Sequence, residues 1–350
     1  MARFPQRGRG ASYDPPNRFE RLNIALDDAE QHAQSQSGRR TEFFVDATRT
    51  ILAHNDSSDV GFHLSVNPYR GCEHGCVYCY ARPGHEFLGL SGGLDFESKI
   101  FIKSEAPTLL RQALSKRNWV PQVVAISGVT DPYQPVERRL ELTRGCLKVF
   151  SSFGNPVAII TKNHLVTRDI DILAKMAERR LVKVMISMTS LKDDLILKME
   201  PRTSRPHRRL QAIEKLTQAG IPTGVMLAPI VPGLTDEEMP EILKAAAGAG
   251  AISASYIVLR LPGIVQDLFL SWLEDHYPAR LKKVSGRLRS LRAGKLSDSR
   301  FGYRMRGEGE FASVIEMVFR QTADRFGLNQ RYDLDASHFV RPTQGQLPLF

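Results

Sequence analysis

Between Leu64 and Arg260 the sequence repeats one alternation six times: a short apolar run, then a segment of helical spacing. The runs lie in FHLSVNPY, QVVAISGV, PVAIITKN, VKVMISMTS, PTGVMLAPIVPG and ASYIVLRLP. Continuous apolar runs read as strands buried on both faces. Short connections through helices make such strands parallel, with the helices packed outside. The pattern predicts an α/β fold with a parallel sheet, and does not by itself separate a barrel from an open sheet. The strand ends are polar: Asn67, Thr130-Asp131, Lys162-Asn163, Thr189-Ser190 and Arg260. In a barrel-like sheet these carboxyl-terminal ends ring one mouth, where chemistry is usually placed.

Helix punctuation follows local chemistry. Thr167 and Thr235 are placed as N-caps, and Gly154 and Gly220 as helix ends. PVERRLELTRGCLKVFSSFG reads as one helix closed by Gly154. Residues 1–60 form an extension, its first fifteen residues disordered by composition. Residues 61–265 form the core domain, 266–340 a basic helical extension, and 341–350 a flexible tail. No run of eighteen apolar residues suggests a membrane span, and the basic N-terminus lacks the apolar stretch of a secretory signal. Four cysteines in 350 residues do not make a disulfide scaffold and point to a reducing, cytoplasmic setting. The net charge of +10 favours a polyanionic partner.

Three of those cysteines, Cys72, Cys76 and Cys79, fall in NPYRGCEHGCVYCYARPGH directly after the first strand. Thiolates at C-x3-C-x2-C spacing suit an iron–sulfur cluster or zinc. Gly71 and Gly75 give the loop freedom to wrap. A 4Fe-4S cluster needs four ligands, so three local cysteines leave one iron open. The alternative is a structural zinc site completed by His74 or His85. His63, His85, His164, His207, His276 and His338 show no metal spacing.

C-x3-C-x2-C at the end of the first of six β/α units, with Tyr78 before the last cysteine, resembles the signature of the radical S-adenosylmethionine superfamily. The wider NPYRGCEHGCVYCYAR resembles the branch related to spore photoproduct lyase. The resemblance covers residues 61 to 262. It implies a partial (β/α)6 TIM-like barrel with a mainly helical C-terminal extension. It also implies one 4Fe-4S cluster on Cys72, Cys76 and Cys79, with S-adenosylmethionine chelating the open iron. Reductive cleavage would then give methionine and a 5'-deoxyadenosyl radical that takes hydrogen from a substrate. Such an enzyme draws its electron from an external donor such as flavodoxin or ferredoxin.

The same resemblance assigns roles around the mouth. SGVTDPYQPVE stands where relatives carry a Gly-Gly-Glu-like segment for the methionine amino group. Ser127, Thr130 and Asp131 are the polar groups available there, although Asp131-Pro132 also reads as a turn. Glu137 serves either this site or the first turn of the next helix. MEPRTSRPHRRL carries Glu200, Arg202, Arg205, Arg208 and Arg209. Arg202 is the candidate for the methionine carboxylate, or else part of a solvated basic helix start. Ser187 is a candidate ribose contact, and MLAPIVPG matches the region near adenine. Cys146 is the sole remaining thiol for a hydrogen donor of the spore photoproduct lyase kind. Its helical setting also fits an ordinary buried cysteine.

The chain ends QLPLF. Gln346, Leu347, Leu349 and Phe350 resemble the peptide by which bacterial replication and repair proteins bind the sliding clamp; docking on the chain's own domain is the competing reading. With the basic charge, the clamp reading points to DNA, and to a lyase or repair reaction on a damaged base. Radical modification of a protein, peptide or small metabolite is the second reading. A non-catalytic, zinc-stabilised nucleic-acid-binding or clamp-associated protein is the third.

Overall fold

The computed structural model describes residues 6, 8–19 and 39–342. The tail residues Gln346, Leu347, Leu349 and Phe350 lie outside the described residues. The strands are β1 (Glu42–Val45), β2 (Leu52–His54), β3 (Leu64–Val66), β4 (Tyr69–Arg70), β5 (Lys99–Ile102), β6 (Val124–Ile126), β7 (Val157–Thr161), β8 (Val182–Met188), β9 (Thr223–Ile230) and β10 (Ser253–Val258). Six of them, β3 and β6 to β10, are the six apolar runs. They lie side by side in chain order and all run parallel.

The sheet is an incomplete barrel. Its order is β10-β9-β8-β7-β6-β3-β2, and the two outer strands do not pair with each other. The outer edge of β10 is covered by the C-terminal region: Ala254 N–H donates to Leu328 O at 2.8 Å and Val258 N–H to Met305 O at 2.8 Å. Covering an edge in this way blocks pairing with another chain. Helices enclose the sheet, and Val124, Ile126, Val157, Ile159, Val184 and Ile186 are fully buried against them. Each such side chain contributes about 1.5–3 kcal/mol on burial. No helix among the described residues is long and apolar enough to cross a membrane.

Several local expectations are corrected. The segment 135–154 is two helices, Glu137–Leu140 and Leu142–Phe153, because Glu141 takes a left-handed conformation (φ 52°). Thr167 does not cap a helix. Asn163 does so earlier, its side chain accepting from Leu165 N–H at the start of a 3-10 turn. Thr235 turns back to accept from Val231 N–H instead of capping. The region before Gly61 supplies two strands that were not foreseen: β2 joins the main sheet antiparallel to β3, and β1 pairs with β5 in a small second sheet. Within the first fifteen residues, expected to be disordered, Gly10 and Ala11 pack against the cysteine loop, and Ala11 is 2% exposed.

A second apolar cluster lies behind that loop. It joins Ala11, Val77, Tyr78, Leu94 and Met199 to Val265, Phe269, Trp272 and Leu273 of the C-terminal helices. The helical extension therefore helps to support the loop.

Candidate functional site

The cysteine loop leaves β3 and is fixed before it turns. Cys72 N–H donates to Phe96 O at 2.9 Å, and Gly71 O accepts from Thr130 Oγ1 at 2.7 Å. Gly71 (φ +77°) and Gly75 (φ +68°) both need glycine: an added Cβ would lie 2.9 Å from Phe96 O and 2.7 Å from the Glu97 carboxylate respectively. Glu73 ties the loop to the segment after β6. Its N–H donates to Gln134 Oε1 at 2.9 Å, and its carboxylate accepts from Val136 N–H at 2.8 Å.

The loop lies between two buried arginine–glutamate pairs. On the inner side, Glu200 accepts from Arg209, Tyr78 and Thr189. Burial alone would raise the Glu200 carboxyl, but Arg209 and Lys162 outweigh it and hold it well below the usual range. Arg209 also donates to Ser187 O and Ser204 O. Lys162, just past β7, donates to Ser187 Oγ at 2.9 Å and Ala228 O at 2.8 Å; it lies 3.3 Å from Glu200 and over the Tyr78 ring. On the outer side, Arg82 donates twice to Cys76 O and pairs with Glu97, both side chains fully buried. Glu97 in turn accepts from Gly10 N–H at 3.0 Å and Ala11 N–H at 2.8 Å. Neither pair leaves an uncompensated buried charge, the condition on which such pairs are tolerated.

The thiols are in a setting that suits metal ligation. Burial, and then Glu200, pushes the Cys76 thiol up; burial, and then Cys72, pushes Cys79 up to about 11. Such thiols do not ionise near neutrality unless a cation replaces the proton. Among the described residues, no three His, Cys, Asp or Glu side chains converge to hold a single metal ion. Thiolates of a 4Fe-4S cluster each take a different iron and need not converge. Neither histidine proposed to complete a zinc site is free. His85 bonds Lys99 O at 3.0 Å. His74 lies between Asp131 and Asn163. The Asn163 amide oxygen already accepts from Leu165 N–H and Ser204 Oγ, so its NH2 faces His74 Nε2, and the His74 Nδ1 proton faces Asp131.

The other candidates separate into those at the strand ends and those engaged elsewhere. Ser187 and Tyr78 lie at the mouth with Lys162 and Thr189. Thr130 holds Gly71 O and accepts from Gln134, which makes it a support of the cysteine loop. Asp131 accepts from Thr161 Oγ1, Lys162 N–H and Tyr133 N–H, and faces His74. Burial would raise it, but His74 and these donors hold it low. It is a hub between strand ends with its oxygens occupied, which corrects the expectation of a carboxylate open to an ammonium group. Ser127 Oγ turns back toward Thr130 O at 3.5 Å.

Three further expectations change. Arg202 pairs with Glu73 at 3.1 Å and donates to Thr41, so it braces the loop from outside and is not free to clamp a carboxylate. Glu137 is fully buried in the first turn of its helix and accepts from Tyr69, Thr143 N–H and Arg168. Its role is structural. Cys146 is fully buried in the main core with Leu147 and Phe150, and burial pushes its thiol upward. It does not line the mouth. Arg82 and Glu97 carried no signal in the sequence, whereas Lys162 stood out as a polar strand end and Glu200 and Arg209 within MEPRTSRPHRRL, without the roles that the structure gives them.

Residues 66–246, more than half of the chain, match the family model described as Radical SAM superfamily. The chain belongs to the radical SAM superfamily. An uncharacterized protein of Mycobacterium tuberculosis is 36% identical over 219 residues, 62% of this chain and 64% of that one. The match therefore spans less than two thirds of that relative. A Radical SAM Nalpha-GlyT isomerase of Pseudomonas phage M6 is 26% identical over 190 residues, 53% of this chain and 37% of that one. The solved structure of spore photoproduct lyase complexed with dinucleoside spore photoproduct superposes with a TM-score of 0.57 at 18% identity, covering 89% of this chain and 86% of that one. This likeness shows a shared fold: an incomplete sheet surrounded by helices, with a helical C-terminal region.

Proposed function

We propose that Cys72, Cys76 and Cys79 hold one 4Fe-4S cluster, and that the chain uses it with S-adenosylmethionine for radical chemistry on a nucleic acid. When bound and reduced by an external donor, the cluster supplies the electron that cleaves S-adenosylmethionine to methionine and a 5'-deoxyadenosyl radical. The observation that carries this reading is the loop of three thiols at the end of the first parallel strand, fixed between two buried arginine–glutamate pairs. Lys162, rather than Arg202, is the cation at the strand ends suited to a bound carboxylate: the Glu200 that it faces at 3.3 Å is also paired with Arg209, and Ser187 and Thr189 add hydroxyls beside it. The Arg82–Glu97 and Arg209–Glu200 pairs orient the loop. The cluster behind it, with Trp272 and Phe269, keeps water from its back.

The nucleic-acid part of the reading is supported by the +10 net charge and by the dinucleoside bound in the structurally similar lyase. A target base would leave its stack to reach the mouth. Cys146 takes no part, so hydrogen return to a product radical uses another donor. The test is to incubate reconstituted protein with S-adenosylmethionine and ultraviolet-damaged or intact oligonucleotides, following deoxyadenosine and digested nucleosides. Damage-dependent deoxyadenosine formation with an altered nucleoside is expected. Equal formation with and without every oligonucleotide, and unaltered nucleosides, would move the substrate to a peptide or metabolite.

A further inference from the structure

We propose that a cleft on the rim of the strand ends, between the segments that follow β6, β7 and β8, binds a phosphate group of the substrate. The proposal rests on the mouth being the reaction site. The cleft measures ≈ 270 Å³ and is lined by Arg138, Asn163, His164, Thr167, Ser204 and Arg208, with Leu165 and Arg168. That is far more than the ~10–15 Å³ that one water needs on the same measure. No carboxylate lines it.

The charges in the cleft are not alike. Arg168 is neutralised by Glu137 and Asp169. Arg138 and Arg208 have no carboxylate partner among the described residues. Arg208 donates to Gln211 and reaches His164 Nδ1 at 3.4 Å. A guanidinium only donates, so that nitrogen accepts. Burial, and then Arg208 and Lys215, pushes His164 down to about 4. A neutral His164 therefore orients Arg208 without adding charge. Two unpaired guanidiniums with the Ser204 and Thr167 hydroxyls beside them match a tetrahedral, multiply accepting anion.

The helix Pro206–Gln218 adds to this field. It begins beside the cleft, has no acidic residue in its first turn and no side-chain cap. Arginines at that end face the unfavourable pole of the helix, and a bound anion offsets them. The cleft is also joined to the mouth. Asn163 lines it and bonds His74 of the cysteine loop at 3.0 Å. A phosphate held here leaves the adjoining part of its molecule beside the cysteine loop.

The test uses the full chain and a fluorescein-labelled single-stranded oligonucleotide, read by anisotropy at one salt concentration. Arg138→Glu/Arg208→Glu should weaken binding at least about tenfold. Arg320→Glu/Arg331→Glu, an equal charge change on exposed positions remote in sequence, should change it less than about twofold. Arg208→Gln alone should give a smaller loss in the same direction. Equal loss in both double variants, or none in the first, overturns the proposal. Competition on the wild type identifies the source: displacement by AMP makes a single nucleotide phosphate sufficient, and displacement only by unlabelled oligonucleotide makes the backbone the ligand. Deoxyadenosine formation is scored separately on the wild type. Its absence would remove the reading of the mouth, and the binding comparison would still decide the cleft.

Discussion

The inner and outer walls of the cysteine loop each contain a buried arginine–glutamate pair, but they are assembled from different kinds of sequence. In the inner pair, Glu200–Arg209, the glutamate is satisfied by side chains, those of Tyr78, Thr189 and Lys162, and the arginine takes Thr203 Oγ1 together with the backbone oxygens of Ser187 and Ser204. The outer pair, Glu97–Arg82, is satisfied by backbone groups: Cys76 O, Gly92 O and Gly93 O for the arginine, and Gly10 and Ala11 N–H for the glutamate. The inner wall places polar side chains toward a mouth. The outer wall closes the loop with peptide groups and presents no comparable set of reactive side chains. One wall is thus suited to ligand chemistry and the other to holding the loop in place.

The largest expected effect belongs to the element both walls hold. Cys76→Ala should abolish iron–sulfur absorption and deoxyadenosine formation with the circular dichroism spectrum unchanged; a variant that still loads four irons would show that the walls hold something else. Next come the pairs themselves. Glu200→Ala leaves Arg209 buried without its partner and should cost about 3–5 kcal/mol in urea denaturation. Glu97→Ala should cost a similar amount through Arg82, and should also expose residues 8–19 to protease, an effect Glu200→Ala should lack. If both variants release that segment equally, the two walls are not separate.

Gly10→Val is the more selective probe. A Cβ at Gly10 would lie 1.8 Å from Gly75 O. The variant should lose about 1–3 kcal/mol and release iron to a chelator several-fold faster than wild type. Iron release at the wild-type rate would mean that the outer wall does not hold the loaded loop. The smallest effect is expected from Cys146→Ala. The thiol is buried in the main core, and its loss should cost about 1 kcal/mol, with deoxyadenosine formation unchanged; a lower rate at equal iron content would return Cys146 to the mechanism.

The asymmetry between the walls also explains what could be read from the chain. The six strands were legible because their apolar runs are short, rich in Val and Ile, and alternate with segments of helical spacing. The cysteine loop was legible from its spacing. The outer wall was not: Gly10 and Ala11 act through their amides, and their Gly-, Arg- and Pro-rich surroundings carry the composition of a disordered segment. Arg202 was misassigned because its partner Glu73 is far away in sequence. The break at Glu141 carried no warning, since a glutamate rather than a glycine takes the left-handed position. Asp131 was noticed correctly as a polar strand end, but the donors that occupy it come from β7 and the loop beyond. Such contacts depend on which strand ends become neighbours, and local patterns do not contain that information.

The central claim is that the three thiols hold a cluster that works with S-adenosylmethionine. Its most direct test is on anaerobically reconstituted protein reduced with dithionite, with iron, sulfide and 5'-deoxyadenosine quantified together. The account predicts about four irons and four sulfides per chain and steady deoxyadenosine formation that Lys162→Ala strongly reduces. Zinc in place of iron, no acid-labile sulfide and no deoxyadenosine would contradict it.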